Sequence, residues 1–372
     1  MNVRHASLNN LLVRRARSLV CYWDHSQLVF CNYLNGKKVI AVPVTILLLD
    51  LLNNWCAPID LVQTLKCFKP SEVLNTVCKL LKYGLVVQKN TPAAINDEDF
   101  DRLWSAWMPH AAFFHFGTKD SKYETRPQEL TKLERRLFRN GPQPRFFKAY
   151  SDRASISLQR PRIRSKFTDI LLRRRTSREF SEKTLPFTAL ASLLFFTWGV
   201  TGYLEDSIFG RLPLKTSPSS GARHPIEVYV LCMHVEGLQP GLYHYSPRTH
   251  RLKIIRHIDR VRVRGAQYCA GQDWVMGASA LFIMTALFSR AMWKYPVPRA
   301  YRTVLLDAGH LCQTFCLVAT WLNLSPFCTM ALNDSLIEKD LEIDGIAESV
   351  VYVAGVGMPI PARHRTLDLA SL

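Results

Sequence analysis

The sequence predicts an α+β protein: a mostly antiparallel sheet flanked by helices in the C-terminal half, with a smaller sheet-and-helix unit ahead of it. Three observations predict it. Alternating β-branched and aromatic runs follow one another with only turn residues between, as in Leu19–Trp23, Leu28–Tyr33 and Lys38–Val42. Runs joined that closely read as hairpins. Stretches of helical period stand apart from those runs, at Val44–Asn54, Phe187–Trp198 and Thr303–Asn323. Hydrophobic residues make up 48% of the 372, which supplies a sizeable core and argues against global disorder.

The N-terminal strands are punctuated by Asp24-His25-Ser26 and by Asn35-Gly36, a strong hairpin signal. Pro43 closes the last of them, and a helix is expected over Val44–Asn54. Pro58 opens a second over Ile59–Leu65. Lys69-Pro70-Ser71-Glu72 opens a third, with Leu74, Val77, Leu80 and Leu81 at helical spacing. Gly84 ends it before Leu85-Val86-Val87. A small sheet followed by three helices reads as a winged-helix unit over residues 1–90. Residues 91–165 read as a connector. It holds an amphipathic helix, Phe100–Met108, with Trp104 and Trp107, then an aromatic cluster at Ala111–Asp120 packed on the C-terminal half. From Thr125 to Arg164 it is Pro- and Arg-rich, and reads as irregular chain that wraps the surface or stays mobile.

Residues 166–372 open with a helix, Lys166–Arg173. Pro186 starts an apolar helix, Phe187–Trp198, fit for a dimer core. Strands are expected at Ile226–Met233, Gly241–Tyr245, within His250–Ile258, at Ser279–Ala286 and at Ser349–Val356.

A formal charge of +18 and a pI near 9.6 favour an acidic partner: nucleic acid, an anionic membrane, an acidic peptide or a phosphorylated cofactor. No candidate recognition helix is rich in Arg, Asn or Gln, which argues against DNA reading. The ten cysteines form no Cys-x-x-Cys pair and no Cys/His cluster at zinc spacing, so no structural metal and a reducing cytoplasm are expected. Cys312 and Cys316, four apart on one helix, read as small buried thiols. The basic N-terminus has no long apolar core of the kind a secretory signal needs. Asp50 interrupts the apolar stretch Ala41–Leu52, and Thr197, Gly199, Thr201 and Gly202 break up Phe187–Leu204. Neither reads as a membrane span.

Two stretches carry chemistry. Arg211–Val230 is a loop of Pro, Ser, Gly and Arg that runs directly into a strand. After Pro218, Ser219, Ser220 and Gly221 offer small side chains and exposed backbone N–H groups, so that a planar ring or a phosphate can approach closely. Some forty residues upstream, Arg174-Arg175-Thr176-Ser177-Arg178 packs cations around two hydroxyls. Arginine forks match phosphate oxygens bidentately, and hydroxyls add short hydrogen bonds.

In this order and spacing the two stretches resemble the nitroreductase-like flavin dehydrogenases, in the branch that oxidises peptide azolines (the SagB/ThcOx type). The resemblance runs through Pro218–Tyr229, Glu236–Tyr245, Lys294-Tyr295, Tyr301-Arg302 and Leu306–His310, covering roughly Lys166 to Arg365. It implies a homodimer holding FMN at the subunit interface. The phosphate and ribityl chain would lie on Arg174, Arg175, Thr176 and Arg178. Phe327–Ala331 matches the segment whose backbone faces the flavin ring, which places Met330 and Ala331 beside it and would let an N–H there bond the ring. Arg365 matches a C-terminal phosphate-binding cation. The first ninety residues resemble, in pattern, the PqqD-like leader-peptide recognition domains. Their basic side chains would suit an acidic leader captured at a sheet edge.

Aromatising a thiazoline or oxazoline removes a hydride and a proton, so a general base is needed. Lys294-Tyr295 matches the pair this branch uses, with the lysine as base, or the tyrosine as relay or polarising group. Lysine starts near pKa 10.4 and needs burial or neighbouring cations to act near neutrality. Where the family often has Gly and a small linker, this chain has Pro296-Val297-Pro298, a stiffer loop. The expected function is therefore FMN-dependent azoline oxidation of a ribosomal peptide already heterocyclised by a cyclodehydratase partner, with oxygen as terminal acceptor. Alternatives are an NAD(P)H-dependent nitro or quinone reductase, an FMN oxidase acting on an amino acid or dipeptide carried on another protein, and a non-enzymatic peptide- or nucleic-acid-binding protein. Cys328 reads as a buried thiol near the ring, and His310 as a helix-packing histidine.

Overall fold

The computed structural model describes residues 11–123, 126–140, 146–147, 156–158 and 165–360. They fall into two compact units. The first holds the described residues up to Lys119 together with Leu287–Val304 and Asp344–Glu348; the second holds the rest.

In the first unit β1 (Val13–Arg15) leads to β2 (Leu19–Asp24), β3 (Gln27–Asn32) and β4 (Lys37–Ile40). These last three form an antiparallel meander with β2 and β4 at its edges. Then come α1 (Pro43–Leu51), α2 (Pro58–Thr64), α3 (Pro70–Lys82) and β5 (Val86–Gln88), which pairs back with β1. Each helix begins on a proline, where the missing N–H costs nothing. Val13, Leu48, Leu52, Val73, Val77, Leu80 and Leu85 form the core. Beside it Arg14 donates to Asp97 at 2.8 Å, both side chains buried, and the same carboxylate accepts the Arg17 N–H.

Asp97 lies on α4 (Pro92–Trp104), which starts well before the expected Phe100. Thr91 caps it, its Oγ1 accepting the Ala94 N–H, and Pro92 follows at the first helical position. A 3₁₀ turn, Ser105–Trp107, precedes α5 (His110–Thr118).

The second unit begins with α6 (Arg126–Asn140), where irregular chain was expected. Leu130, Leu133 and Leu137 recur at helical spacing among Gln, Glu, Lys and Arg, and Pro127 sits harmlessly in the first turn. Averaging composition over Thr125–Arg164 hides that local period. α7 (Lys166–Arg173) opens with a capping box, the Ser165 N–H donating to Thr168 Oγ1 and the Thr168 N–H to Ser165 Oγ. After α8 (Phe187–Trp198) comes a hairpin the sequence reading missed, β6 (Gly202–Asp206) with β7 (Gly210–Leu214). Its turn is held by Asp206 Oδ1, which accepts the N–H groups of Ile208 and Phe209.

β8 (Ile226–Cys232), β9 (Gly241–Ser246), β10 (Arg251–His257), α9 (Val261–Tyr268) and β11 (Ala280–Leu287) follow. The chain then crosses into the first unit for α10 (Phe288–Lys294). It returns along α11 (Tyr301–Trp321) to β12 (Ser325–Thr329), α12 (Asp334–Leu341) and β13 (Glu348–Gly357). The main sheet has the order β10-β9-β8-β11-β13-β12, and its pairs β10/β9, β9/β8, β8/β11 and β13/β12 are antiparallel, as expected. α11 is long and apolar enough to cross a membrane. Here Ala308, Leu311, Phe315 and Ala319 lie on one buried face at helical spacing. On β13, Gly355 is paired with Phe327 of β12, and a Cβ there would overlap the Phe327 ring.

Candidate functional site

The loop entering β8 holds three residues with positive φ within four positions. Gly221 has φ 59°, Ala222 φ 57° and His224 φ 44°. Only the glycine adopts that left-handed backbone freely; the alanine and histidine cost about 1–2 kcal/mol each. Such strain persists where neighbours over-determine it. The neighbour here is Asp307 of α11, which is 3% exposed. Its Oδ2 accepts the Ser219 hydroxyl at 2.5 Å and its Oδ1 the Ser220 N–H at 3.3 Å. Ser219 Oγ in turn accepts the His224 N–H at 2.9 Å, so the hydroxyl hydrogen belongs to Asp307. Hydrogen bonds to a carboxylate contribute about 1.5–3 kcal/mol each, enough to offset the strain. Burial pushes the Asp307 carboxyl up from its ordinary range, while the bonds from Ser219 and Ser220 pull it back. Two turns along α11, Thr314 Oγ1 meets Ser217 Oγ at 2.7 Å. The cavity behind the turn holds about 10 Å³, room for one water at most.

The arginine loop lies along the free edge of β12. Ser177 N–H donates to Pro326 O, and Ser181 bridges Met358 beyond the end of β13. Pro326 suits an edge strand, because it has no N–H to leave unpaired. The three arginines differ. Arg175 Nη1 donates to the carbonyls of Leu172 and Arg174, capping α7. Arg178 lies 5.5 Å over the Trp274 ring. Arg174 is half-buried, and its charge reaches Cys316 and Cys328. Thr176 is exposed.

Cys328 on β12 meets Cys312 and Cys316 of α11. The Cys312 and Cys316 thiols hydrogen-bond to its sulfur and hold the Cys328 thiol well below its ordinary range, with Tyr352 and Arg174 adding to the effect. Just beyond, Met330 is exposed, its carbonyl accepting the Tyr123 hydroxyl at 2.9 Å. Within the segment whose backbone was expected to face the ring, the Ala331 N–H is donated to Thr329 Oγ1 at 3.1 Å.

Lys294 and Tyr295 belong to the first unit. They end α10, with Lys294 Nζ 5.6 Å from the Tyr295 ring centre. Trp107 Nε1 donates to the Tyr295 carbonyl at 3.1 Å. Behind them Trp104, Trp107, His115, Phe116, Phe288 and Tyr301 form one aromatic cluster. The expected packing of Ala111–Asp120 on the C-terminal half is thus seen against Phe288 and Tyr301. Within the cluster His115 Nδ1 meets Tyr301 Oη at 2.9 Å.

A model of the nitroreductase family matches residues 171–358, just over half of the chain. The chain belongs to the nitroreductase family. Among members and relatives, the trifolitoxin-processing protein TfxB of Rhizobium leguminosarum bv. trifolii is 27% identical over 313 residues, 79% of this chain and 82% of that protein. A protein of Methanocaldococcus jannaschii designated a nitroreductase, MJ1384, is 32% identical over 191 residues, 51% of this chain and 91% of its own. Among solved structures, a chain of the Escherichia coli microcin synthetase McbBCD complex with truncated pro-MccB17 bound aligns at 22% identity with a TM-score of 0.47, covering 72% of this chain and 93% of that one.

Family membership covers both candidate stretches, and the fold places each in the second unit: Arg174–Arg178 at the end of α7, Pro218–Gly221 before β8. Arg365 lies outside the described residues. His310, expected to pack, is exposed; one turn along α11 from Asp307, its charge helps to pull the Asp307 carboxyl back down. Two larger hollows, of about 600 Å³ near Met233, Gln239 and Arg260 and of about 420 Å³ near Arg15, Cys21 and Phe30, hold none of the expected site residues. Sequence reasoning used Asp307 only as a register mark. The signal available was an acidic residue on the apolar stripe of a helix, which has to find donors.

Proposed function

We propose that this chain is an FMN-dependent oxidoreductase that dehydrogenates thiazoline or oxazoline rings of a ribosomally made peptide to azoles. The observation that carries the reading is the strained turn Ser219–His224, held by Asp307 in the stretch that bears the resemblance to the azoline-oxidising branch. TfxB, similar over most of both chains, is named for the processing of trifolitoxin, which supports a peptide substrate.

The donor set fits FMN. Arg174 and Arg178 supply cations for a phosphate, Thr176 a hydroxyl for the ribityl chain, and the turn at Gly221 a backbone that a flat ring can approach. Arg175 serves the same loop indirectly, by closing α7. When bound, FMN supplies a two-electron acceptor for hydride. The chain's own part is to orient the peptide ring and to remove the proton from the carbon beside the peptide carbonyl. We assign that proton to Lys294 Nζ, with Tyr295 polarising or relaying. Exposed apolar side chains on α8 and α11, among them Phe187, Phe196, Leu306 and Trp321, support a homodimer. In the first unit, the edge strand β2 beside Arg15 and Arg17 supports capture of an acidic leader by strand addition, and a cyclodehydratase would deliver the heterocyclised peptide.

The test is the absorption spectrum of purified protein, the mass of any released chromophore, and then oxidation of an azoline peptide by wild type and Lys294→Ala. FMN near one per chain, and a turnover loss of about a hundredfold or more in Lys294→Ala with FMN retained, are expected. Colourless protein that FMN cannot reconstitute sinks the reading. The similarity to MJ1384 favours a second reading, an NAD(P)H-dependent reductase. Rapid bleaching of the flavin by NADPH, with no azoline oxidation, would establish that instead.

A further inference from the structure

We infer that Asp307 is the positioning residue of this site: by accepting from Ser219 and Ser220 it holds the Ser219–His224 turn in its left-handed form and so presents the cofactor-facing backbone. The link to the cofactor rests on the FMN reading above; the hold on the turn does not.

The hydrogen-bond directions leave one arrangement. The His224 N–H points at Ser219 Oγ, so the Ser219 hydroxyl must donate outward, and Asp307 Oδ2 is its acceptor. The Ser220 N–H needs the other oxygen. A group at position 307 must therefore accept on both sides, which a carboxylate does. An amide serves only one: its NH₂ faces either the Ser220 N–H or Ser219 Oγ, and in the second case the serine hydrogen loses its acceptor. The two residues at left-handed φ without being glycine, Ala222 and His224, lie inside the loop these bonds close. Release of Asp307 removes the restraint that keeps them there. The turn can then relax to ordinary backbone, and the Ala222 and Arg223 N–H bonds to the Ser219 and Ser220 carbonyls, which close it from within, loosen with it.

α11 gives this arrangement a second consequence. Asp307 and Thr314 brace the turn, and Cys312 and Cys316 of the same helix contact Cys328 on β12. One helix thus registers the turn against the strand that leads into Met330 and Ala331. Asp307 is the only one of these contacts that closes the strained loop itself.

The experiment uses the full chain, freed of flavin, with FMN added back. Amide exchange over the segment Ser217–Pro225 should be at least about tenfold faster in Asp307→Asn, with exchange across β8 unchanged. FMN should bind at least about tenfold more weakly, by flavin fluorescence. Ser219→Ala should reproduce both changes and exceed them, because it also removes the acceptor of the His224 N–H, and the double variant should be no worse than Ser219→Ala alone, because the bond between the two residues is lost only once. Asp307→Glu should recover part of the affinity. Wild-type exchange in both single variants overturns the proposal, as does a loosened turn with undiminished FMN affinity. Should Asp307→Asn fail to fold, Ser219→Ala decides. Should wild type bind no FMN, the cofactor reading falls, while the exchange measurement still decides whether Asp307 holds the turn.

Discussion

The indole N–H of Trp107 donates to the backbone carbonyl of Tyr295 at 3.1 Å, so a buried tryptophan from the N-terminal third of the chain sets the position of the Lys294-Tyr295 pair. The same carbonyl accepts the Val297 N–H and is not orphaned when the indole is removed. Trp107→Phe should therefore cost about 0.5–1.5 kcal/mol for the lost bond and about 1–2 kcal/mol more for the cavity the smaller ring leaves in the buried cluster, while lowering turnover more than any flavin content. A thermal melt and a flavin assay on the same preparation check it; equal loss of both would make Trp107 a core residue only.

His115 makes stability depend on acid. Burial among Trp104, Phe116 and Phe288 pushes its pKa down to about 3. The folded state keeps it neutral, while the unfolded chain protonates it below about 6.5. Stability is thus complete above that value and falls as pH drops from about 6.5 towards 3, by up to roughly 4–5 kcal/mol. His115→Phe should flatten this slope. Urea unfolding at pH 7 and pH 4.5 measures it, and parallel losses in variant and wild type would refute it.

Gly355 lies where the Phe327 ring packs on β13. Gly355→Ala should push Phe327 away and displace β12, at a cost of about 1–3 kcal/mol. FMN affinity should fall with it, because Cys328 to Ala331 follow directly. Denaturant unfolding paired with FMN titration tests both.

The arginines should separate by role. Arg174→Ala and Arg178→Ala remove the cations proposed for the phosphate, and FMN affinity should fall about tenfold to a hundredfold. Arg175→Ala removes a helix cap and should lower thermal stability with a smaller effect on FMN. Equal FMN losses in all three would show that capping and binding are not separable here.

Several elements were legible because they follow local rules. Asn35-Gly36 joins β3 to β4, the Pro43, Pro58 and Pro70 starts open α1 to α3, and the run Ile226–Cys232 is a strand. α6 and the β6–β7 hairpin were not. One has its leucine period inside an Arg-rich stretch, and the other has its turn built by the Asp206 side chain rather than by an obvious turn pair.

By itself the sequence determined the α+β class, the two candidate loops and the residue types that the proposed FMN site calls on, because hydrophobic period, turn residues and charge clusters are properties of neighbours along the chain. Only the tertiary structure decided which of those residues act together. Ser219 and Asp307 are 88 positions apart. Trp107 and Tyr295 are 188 apart, and α10 belongs to the first unit because the chain crosses back to it. Such pairings depend on where buried donors and acceptors find each other once the core closes, and no local pattern records that distance.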